Sequence, residues 1–308
     1  MKTIGIDIGG TKIAVGMVDQ QGRIVSQSSF PTHPQRGFAD ALSRIMDAVE
    51  KLTTEHDQSH GPLCGIGIGC TGPIDPIRGT IHNPHILPTW NDCNLVAPLR
   101  ERFGVPVRME NDADAAAYGE FRFGADAGAG SDPIVMLTFG TGIGFAAIVH
   151  GQVYRGLSGS HPEFGHIPTP IDESLQEACA APCYCGIRSC FESLASGTAI
   201  DTAGQLGGFK DSRAVFKAAC SGDATAKKII DRALNATSSA IWTIAHSFVP
   251  QQIIFGGGIM EDHFDLFASA ARQSILNATM IPGKQVRIVK ASFGANAGVV
   301  GAAALTTA

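Results

Sequence analysis

Short apolar runs closed by glycine dominate the first half of the chain, and helix-spaced apolar positions dominate the later part. Residues 3–19 read as two β-strands around the turn Gly9-Gly10-Thr11, and a third strand over 23–30 follows Gln20-Gln21-Gly22. An amphipathic helix over 37–56 leads to a buried strand at 64–70, which Thr71-Gly72-Pro73 closes. Residues 79–93, with Asn83, Pro84, Trp90 and Asn91, read as an irregular loop. A helix near 95–103 and a strand at 105–109 then reach Glu110-Asn111-Asp112-Ala113-Asp114, where Asn111 ends the strand and Asp112 is the expected N-cap of a helix over 113–123. Asp112 is also a carboxylate at a strand end, able to take a hydroxyl proton, and the residues alone leave both readings open.

The small-residue stretch 124–132 reads as an approach to a domain junction. Beyond it, an apolar strand (134–139), the turn Gly140-Thr141-Gly142-Ile143-Gly144 and a second apolar strand (145–150) repeat the opening hairpin about 130 residues later. A duplicated pair of glycine turns can clasp a polyphosphate from both sides, although one such hairpin alone reads equally well as plain structure. Helices follow near 198–206, 212–220 and 223–248, then a strand at 252–255, Gly256-Gly257-Gly258 and a helix near 263–278. That glycine run lets a flat nucleoside lie on bare backbone beside a helix N-terminus. A strand at 285–291 and a small-residue helix over 294–305 come last. The domain division expected from this order is 1–123 joined by the last helix, about 294–308, and 124–293.

Composition narrows the class. The chain has 308 residues, 44% hydrophobic and 17% charged, which suits one large or two ordinary globular domains. A net charge of −5 offers no basic surface for a phosphate backbone, and no apolar run reaches the length of a membrane span. Neither nucleic acid nor membrane is therefore an expected partner. Met1-Lys2-Thr3 runs directly into a strand without a signal-peptide pattern, so the eight cysteines point to a reducing cytoplasm.

Three of those cysteines, Cys183, Cys185 and Cys190, lie within eight residues, with histidine upstream in His161-Pro162-Glu163-Phe164-Gly165-His166. A Cys3His set is the usual closed tetrahedral zinc site, and such a metal would also fix Glu163 and Glu192 beside it. Zinc deaminases also carry H-x-E and a later P-C-x-x-C, but the spacing here is C-x-C, which departs from that signature.

Taken together, Asp7-Ile8-Gly9-Gly10-Thr11-Lys12, Asn111-Asp112-Ala113, Gly140-Thr141-Gly142-Ile143-Gly144, Glu163-Phe164-Gly165-His166, the cysteine cluster with Glu192, and Gly256-Gly257-Gly258 resemble the ROK family of repressors, open reading frames and kinases. The resemblance covers nearly the whole chain. It implies an actin/hexokinase-like (ribonuclease H-like) α/β fold of two domains with a central interdomain cleft, closing over a sugar and ATP-Mg2+. It makes Asp112 the general base, and Gly72, Asn83, Asn111, Glu163, His166 and Glu192 further sugar contacts. ATP falls to Asp7, Gly9, Gly10, Thr11, Lys12, Gly140, Thr141, Gly142 and Gly144, with Gly257 and Gly258 beside the nucleoside. His166, Cys183, Cys185 and Cys190 become ligands of a structural Zn2+, and His166 could give its second nitrogen to a sugar hydroxyl.

Three departures qualify this. Ser189 replaces the family's usual glycine, and residues 172–181 lengthen the loop between His166 and Cys183, so that its tip is placed to cover the pocket or meet a neighbouring subunit. His161-Pro162-Glu163 resembles fructokinase and amino-sugar branches. The expected activity is an ATP-dependent hexose 6-kinase, glucokinase-like, with fructokinase and N-acetylmannosamine or N-acetylglucosamine kinase as alternatives, in a homodimer or homotetramer. A sugar-sensing, non-catalytic regulator of the family is the alternative of another class. The repressors carry an extra N-terminal helix-turn-helix, whereas this chain starts within two residues of its first strand.

Overall fold

A computed structural model of the chain describes residues 2–55, 61–125, 127, 132–170 and 183–307. The expected loop tip at 172–181 lies outside the described residues, as does much of the junction at 124–132. The chain opens with β1 (Lys2–Ile8), β2 (Lys12–Val18), β3 (Ile24–Pro31), α1 (Phe38–Glu55) and β4 (Leu63–Cys70). Three two-residue strands follow, β5 (Ile74–Asp75), β6 (Thr80–Ile81) and β7 (Cys93–Asn94), then α2 (Val96–Phe103), β8 (Val107–Asn111) and α3 (Asp112–Phe123). Next come β9 (Ile134–Phe139), β10 (Ile143–Val149), β11 (Gln152–Val153), α4 (Phe191–Ala195), α5 (Gly197–Leu206), α6 (Ser212–Cys220) and α7 (Ala224–Phe248). The last are β12 (Gln252–Gly256), α8 (Gly258–Ile275), β13 (Arg287–Lys290) and α9 (Ala297–Ala304).

The chain divides into two compact units. The first contains Met1–Ser131, Gly151–His161 and Ala295–Ala308, and the second Asp132–His150 and Pro162–Gly294. In the first, strand order is β3-β2-β1-β4-β8, with β1 antiparallel to β2 and parallel to β4, and β4 parallel to β8. Strands β1 and β4 alternate isoleucine with glycine, and the two faces of the sheet use that alternation differently. Ile4, Ile6, Ile8, Ile66 and Ile68 are fully buried in a core shared with Ala41, Ile45, Val49 and Leu52 of α1. On the other face, a Cβ at Gly5 or Gly67 would run into the α9 backbone at Val299 or Ala302. Helix α9 is buried from Val299 to Ala304, so small residues on all sides let it sit directly on the sheet.

The second unit repeats that strand plan. Strand β9 is antiparallel to β10 and parallel to β12, and β12 is parallel to β13. Its core joins Val135, Leu137, Phe139 and Phe145 to the apolar faces of α4, α5, α7 and α8. Phe139, the last residue of β9, lies 5.2–5.8 Å by ring centroid from Phe255, Phe267 and Phe191, which anchors the start of the 140–144 turn.

Two differences from the reading of the sequence bear on the site. The supposedly irregular stretch 79–93 contains β6, lies against β7, and carries the fully buried Trp90. Strands of two residues are too short to display a period. Helix α8 starts at Gly258, five residues before the expected start, because Gly257 (φ 91°) makes the turn that β12 needs to enter a helix at once.

Candidate active site

In the first unit the expected residues gather where three parallel strands end. Ile8 pairs with Cys70, and Cys70 with Asn111, at the carboxyl ends of β1, β4 and β8, the end at which open α/β sheets receive ligands. The 9–12 turn is held by Gly9 N–H donating to Lys12 O at 3.0 Å and by the Thr32 hydroxyl donating to Gly9 O at 2.7 Å, leaving Thr11 and Lys12 exposed. Gly10 faces Ile86, whose side chain leaves no room for a Cβ. The Asp7 carboxyl lies against Gly298 of α9 and titrates at about 6, pushed up by burial and then by the Asp112 charge, with Lys12 acting the other way.

The N-cap of α3 is Asn111, not Asp112 as the sequence suggested. Asn111 keeps an extended backbone (φ −57°, ψ 148°), so its Oδ1 can accept from Ala113 N–H at 2.8 Å, whereas Asp112 is already the first helical residue. The Asp112 carboxylate lies in that first turn with Oδ1 2.9 Å from the same N–H, in the favourable field of the helix N-terminus. Asn83 is buried and uses its amide within the protein: Oδ1 accepts from Ile86 N–H at 2.9 Å, and Nδ2 donates to the carbonyl of Gly72. Asn83 therefore ties the 83–86 loop to the strand end, and Gly72 passes close beside the Asn111 side chain.

In the second unit the 140–144 turn, Glu192 and Gly257 form one assembly. Gly140 N–H donates to Gly142 O at 3.0 Å, and Gly197 N–H donates to Gly140 O at 2.8 Å. Glu192, expected against a sugar, accepts from Ile143 N–H at 2.8 Å through Oε2, which clamps the turn to α4. Gly257 packs against the Phe139 backbone so closely that only glycine fits, and α8 begins immediately after it with no side-chain cap on its first N–H groups. Those groups are the expected seat for an anion.

Glu163 precedes a single 3-10 turn, Phe164–His166, which is fixed by Phe164 stacking on Phe145 at 4.5 Å and by Gly165 lying over the Ile143 carbonyl. Backbone bonds then join this segment to the cysteines, with Thr169 N–H donating to Ser189 O at 2.8 Å and Phe191 N–H to Ile167 O at 3.1 Å. The donor atoms of His166, Cys183, Cys185 and Cys190 all lie within 4.8 Å of one another. His166 Nδ1 is 3.6 Å from Cys183 Sγ and 3.9 Å from Cys190 Sγ. Tetrahedral zinc at ordinary bond lengths sets donors roughly 3.3–3.8 Å apart, close to the two His166–cysteine distances, and the donor types are those of a structural zinc site. The second imidazole nitrogen, Nε2, lies 2.9 Å from the Tyr184 hydroxyl. Tyr184 sits between two zinc-type cysteines, and nothing in the spacing distinguished it.

A further buried group lies around Asp112 in the first unit. Arg155, on the segment after β11, ion-pairs with Glu110 of β8. His161 Nδ1 stands 3.9 Å from Oδ1 of Asp114, a side chain of α3 that is almost fully buried. Burial raises the Glu110 pKa against the opposing Arg155 charge, and raises that of Asp114 to about 7 against the opposing His161. Three acids in the five residues 110–114 were the visible signal, but their partners are more than 40 residues away in sequence.

Comparison with known proteins covers the whole chain. The family model described as the ROK family matches residues 3–308. The glucokinase of Thermotoga maritima is 33% identical over 323 residues, covering 99% of this chain and 97% of its own. A solved ROK hexokinase from Thermus thermophilus aligns with TM-score 0.81 and 31% identity over 99% of this chain and 97% of that one. A ROK family glucokinase from Streptomyces griseus, in complex with glucose and AMPPNP, aligns with TM-score 0.74 and 32% identity over 99% of both chains. The architecture is that of the actin/hexokinase-like proteins.

Proposed function

The chain belongs to the ROK family, and on that premise we propose that it is an ATP-dependent hexose kinase phosphorylating the 6-hydroxyl of glucose. The observation that carries this reading is the position of Asp112, in the first turn of α3 where three parallel strands end, electrostatically coupled to Asp7 beside the 9–12 turn. Phosphoryl transfer requires positioning, charge on the phosphates and a base at the nucleophile.

In the proposed reaction the Asp112 carboxylate accepts the proton of the sugar hydroxyl as its oxygen bonds to the γ-phosphorus. The bond from that phosphorus to the β,γ-bridging oxygen breaks, and ADP leaves with the electron pair. Asn111, Glu163, His166 and Glu192, with Gly72 and Asn83, shape the sugar site. Asn83 and Glu192 do so through the backbone that they hold. The 9–12 and 140–144 turns take the phosphates, and Gly257 and Gly258 the nucleoside. Bound Mg2+ would neutralise phosphate charge, and Asp7 is the carboxylate placed to meet it. Structural Zn2+ on His166, Cys183, Cys185 and Cys190 would keep the Glu163 and Glu192 segments in register. A cytoplasmic homodimer or homotetramer acting in sugar catabolism completes the proposal. Among the described residues no helix is long and apolar enough to cross a membrane.

A second acceptor, fructose or an N-acetylated hexosamine, is favoured by His161-Pro162-Glu163 alone. ADP formation from ATP-Mg2+ against glucose, fructose, N-acetylmannosamine and N-acetylglucosamine tests both readings. Glucose is expected to give the highest kcat/KM, and a clear preference for another sugar overturns that assignment. Asp112→Asn is expected to lower turnover by about 10²–10⁴-fold while glucose still raises the melting temperature. Near-normal turnover would remove Asp112 as the base.

A further inference from the structure

Residues Glu110 to Asp114 divide their side chains between two tasks. Asn111 and Asp112 lie in the cap and first turn of α3, where the proposed chemistry takes place. The acids on either side, Glu110 and Asp114, meet one other piece of chain, Gly151–His161, through Arg155 and His161 respectively. That segment belongs to the first unit, and the chain passes into the second unit at the bond between His161 and Pro162. Glu163 is the next residue.

Asp114 is the unusual member. It is 2% exposed, and among the described residues Oδ1 receives no hydrogen bond. A buried carboxylate oxygen without a donor is destabilising, by about 1–3 kcal/mol or more for a charged group. His161 Nδ1 faces it from 3.9 Å, about 1 Å beyond hydrogen-bonding distance. Position 114 is the third residue of α3, so the carboxylate also gains from the helix N-terminus, but a surface acid there would gain the same without burial. Fold stability alone gives no reason for the group. The Arg155–Glu110 ion pair, by contrast, holds the middle of the same segment.

We propose that Asp114 and His161 are a positioning pair for the sugar site: the imidazole, drawn onto the buried carboxylate, sets the end of the Gly151–His161 segment, two residues before Glu163, while Arg155 on Glu110 holds its middle. The proposal rests on the reading of Glu163 as a sugar contact and Asp112 as the base. Neither Asp114 nor His161 touches the reacting atoms. Their effect is on hexose affinity and leaves the nucleotide side unchanged. Asp112 and Asp114 lie two residues apart on one helix turn, so the segment is referenced to the helix that also positions the base.

A double-mutant cycle with steady-state kinetics tests this, using the hexose of highest kcat/KM in the panel above. Asp114→Asn and His161→Leu are each expected to raise hexose KM about tenfold, and the double variant no further, as coupled neighbours behave. The KM for ATP is expected to stay within about twofold, within the range of uncoupled sites. His161→Asn keeps a donor near the position of Nδ1 and is expected to restore most of the hexose affinity. Additive losses, equal shifts in both KM values, an unchanged hexose KM, or His161→Asn as poor as His161→Leu would each overturn the pair. If Asp114→Asn does not fold, the contrast between His161→Asn and His161→Leu decides the matter, because the His161 side chain is only partly buried. Asp112→Asn separates the two proposals: turnover retained there overturns the base, whereas the hexose KM of the His161 variants reports the pair.

Discussion

At the scale of single residues, Asp114 shows how a carboxylate can oppose stability. Its pKa lies near 7 in the folded chain against an ordinary value near 3.8, because burial outweighs the cations facing it. His161 and Arg155 face it from the Gly151–His161 segment, and Glu110 of β8 and Asp112 of α3 add like charge. Between those two values the folded chain holds a proton that the unfolded chain has released. The stability associated with the neutral form is therefore complete at low pH and is lost as pH rises towards 7. Asparagine has no such dependence, so Asp114→Asn is expected to exceed the wild type in melting temperature at pH 8 by more than at pH 5. A difference that stays constant from pH 5 to pH 8 would remove this account. A variant that is more stable yet binds hexose less well would also separate a positioning role from a structural one. The sequence placed Asp112 at a strand–helix junction correctly but assigned the cap one residue late. Cap identity depends on which residue keeps an extended backbone, and that is set by how far β8 pairs with β4.

Among the elements, the cysteine knuckle and the 140–144 turn are joined through Glu192, which follows Cys190 by two residues and accepts from Ile143 N–H at 2.8 Å. Loss of the metal would free the 183–190 loop, whereas the backbone bonds at Thr169 and Phe191 keep α4 near its place. Cys185→Ser is therefore expected to abolish stoichiometric zinc and raise hexose KM about 10-fold or more, within the 10–100-fold range typical of disturbed metal surroundings, with a smaller change for ATP. Full zinc content with unaltered kinetics would contradict the site. Close contact explains another element. A Cβ on Gly119 of α3 would stand 2.6 Å from the Gly301 Cα of α9. Gly119→Ala is expected to destabilise by roughly 1–3 kcal/mol by pushing the helices apart, measurable by urea unfolding, and an unchanged midpoint would show that the helices separate freely. The cysteine spacing was legible in sequence because a tetrahedral metal demands a local pattern. Contact between two glycines 182 positions apart has no local pattern to read.

For the whole molecule, each unit has its own core and one tryptophan: Trp90, buried in the first, and Trp242 on α7 of the second. The proposed zinc ligands all belong to the second unit. Chelation is thus expected to lower the midpoint seen by far-ultraviolet circular dichroism more than that seen by Trp90 fluorescence in a Trp242→Phe protein. Identical shifts would mean that the chain unfolds as a single cooperative body. The sequence by itself determined the duplicated glycine hairpins, the alternation of isoleucine with glycine in β1 and β4, the order of the longer strands and helices, and the cysteine set. Each is a short-range regularity imposed by backbone geometry or metal coordination. Only the tertiary structure decided that the two hairpins head sheets of the same strand plan and that α9 rests on the glycine face of the first sheet. It also decided that Asn83 and Glu192 bind backbone, and that Asp114 has His161 as its neighbour. Those outcomes depend on which distant segments meet, and a chain's local pattern records the need for a partner without recording which residue supplies it.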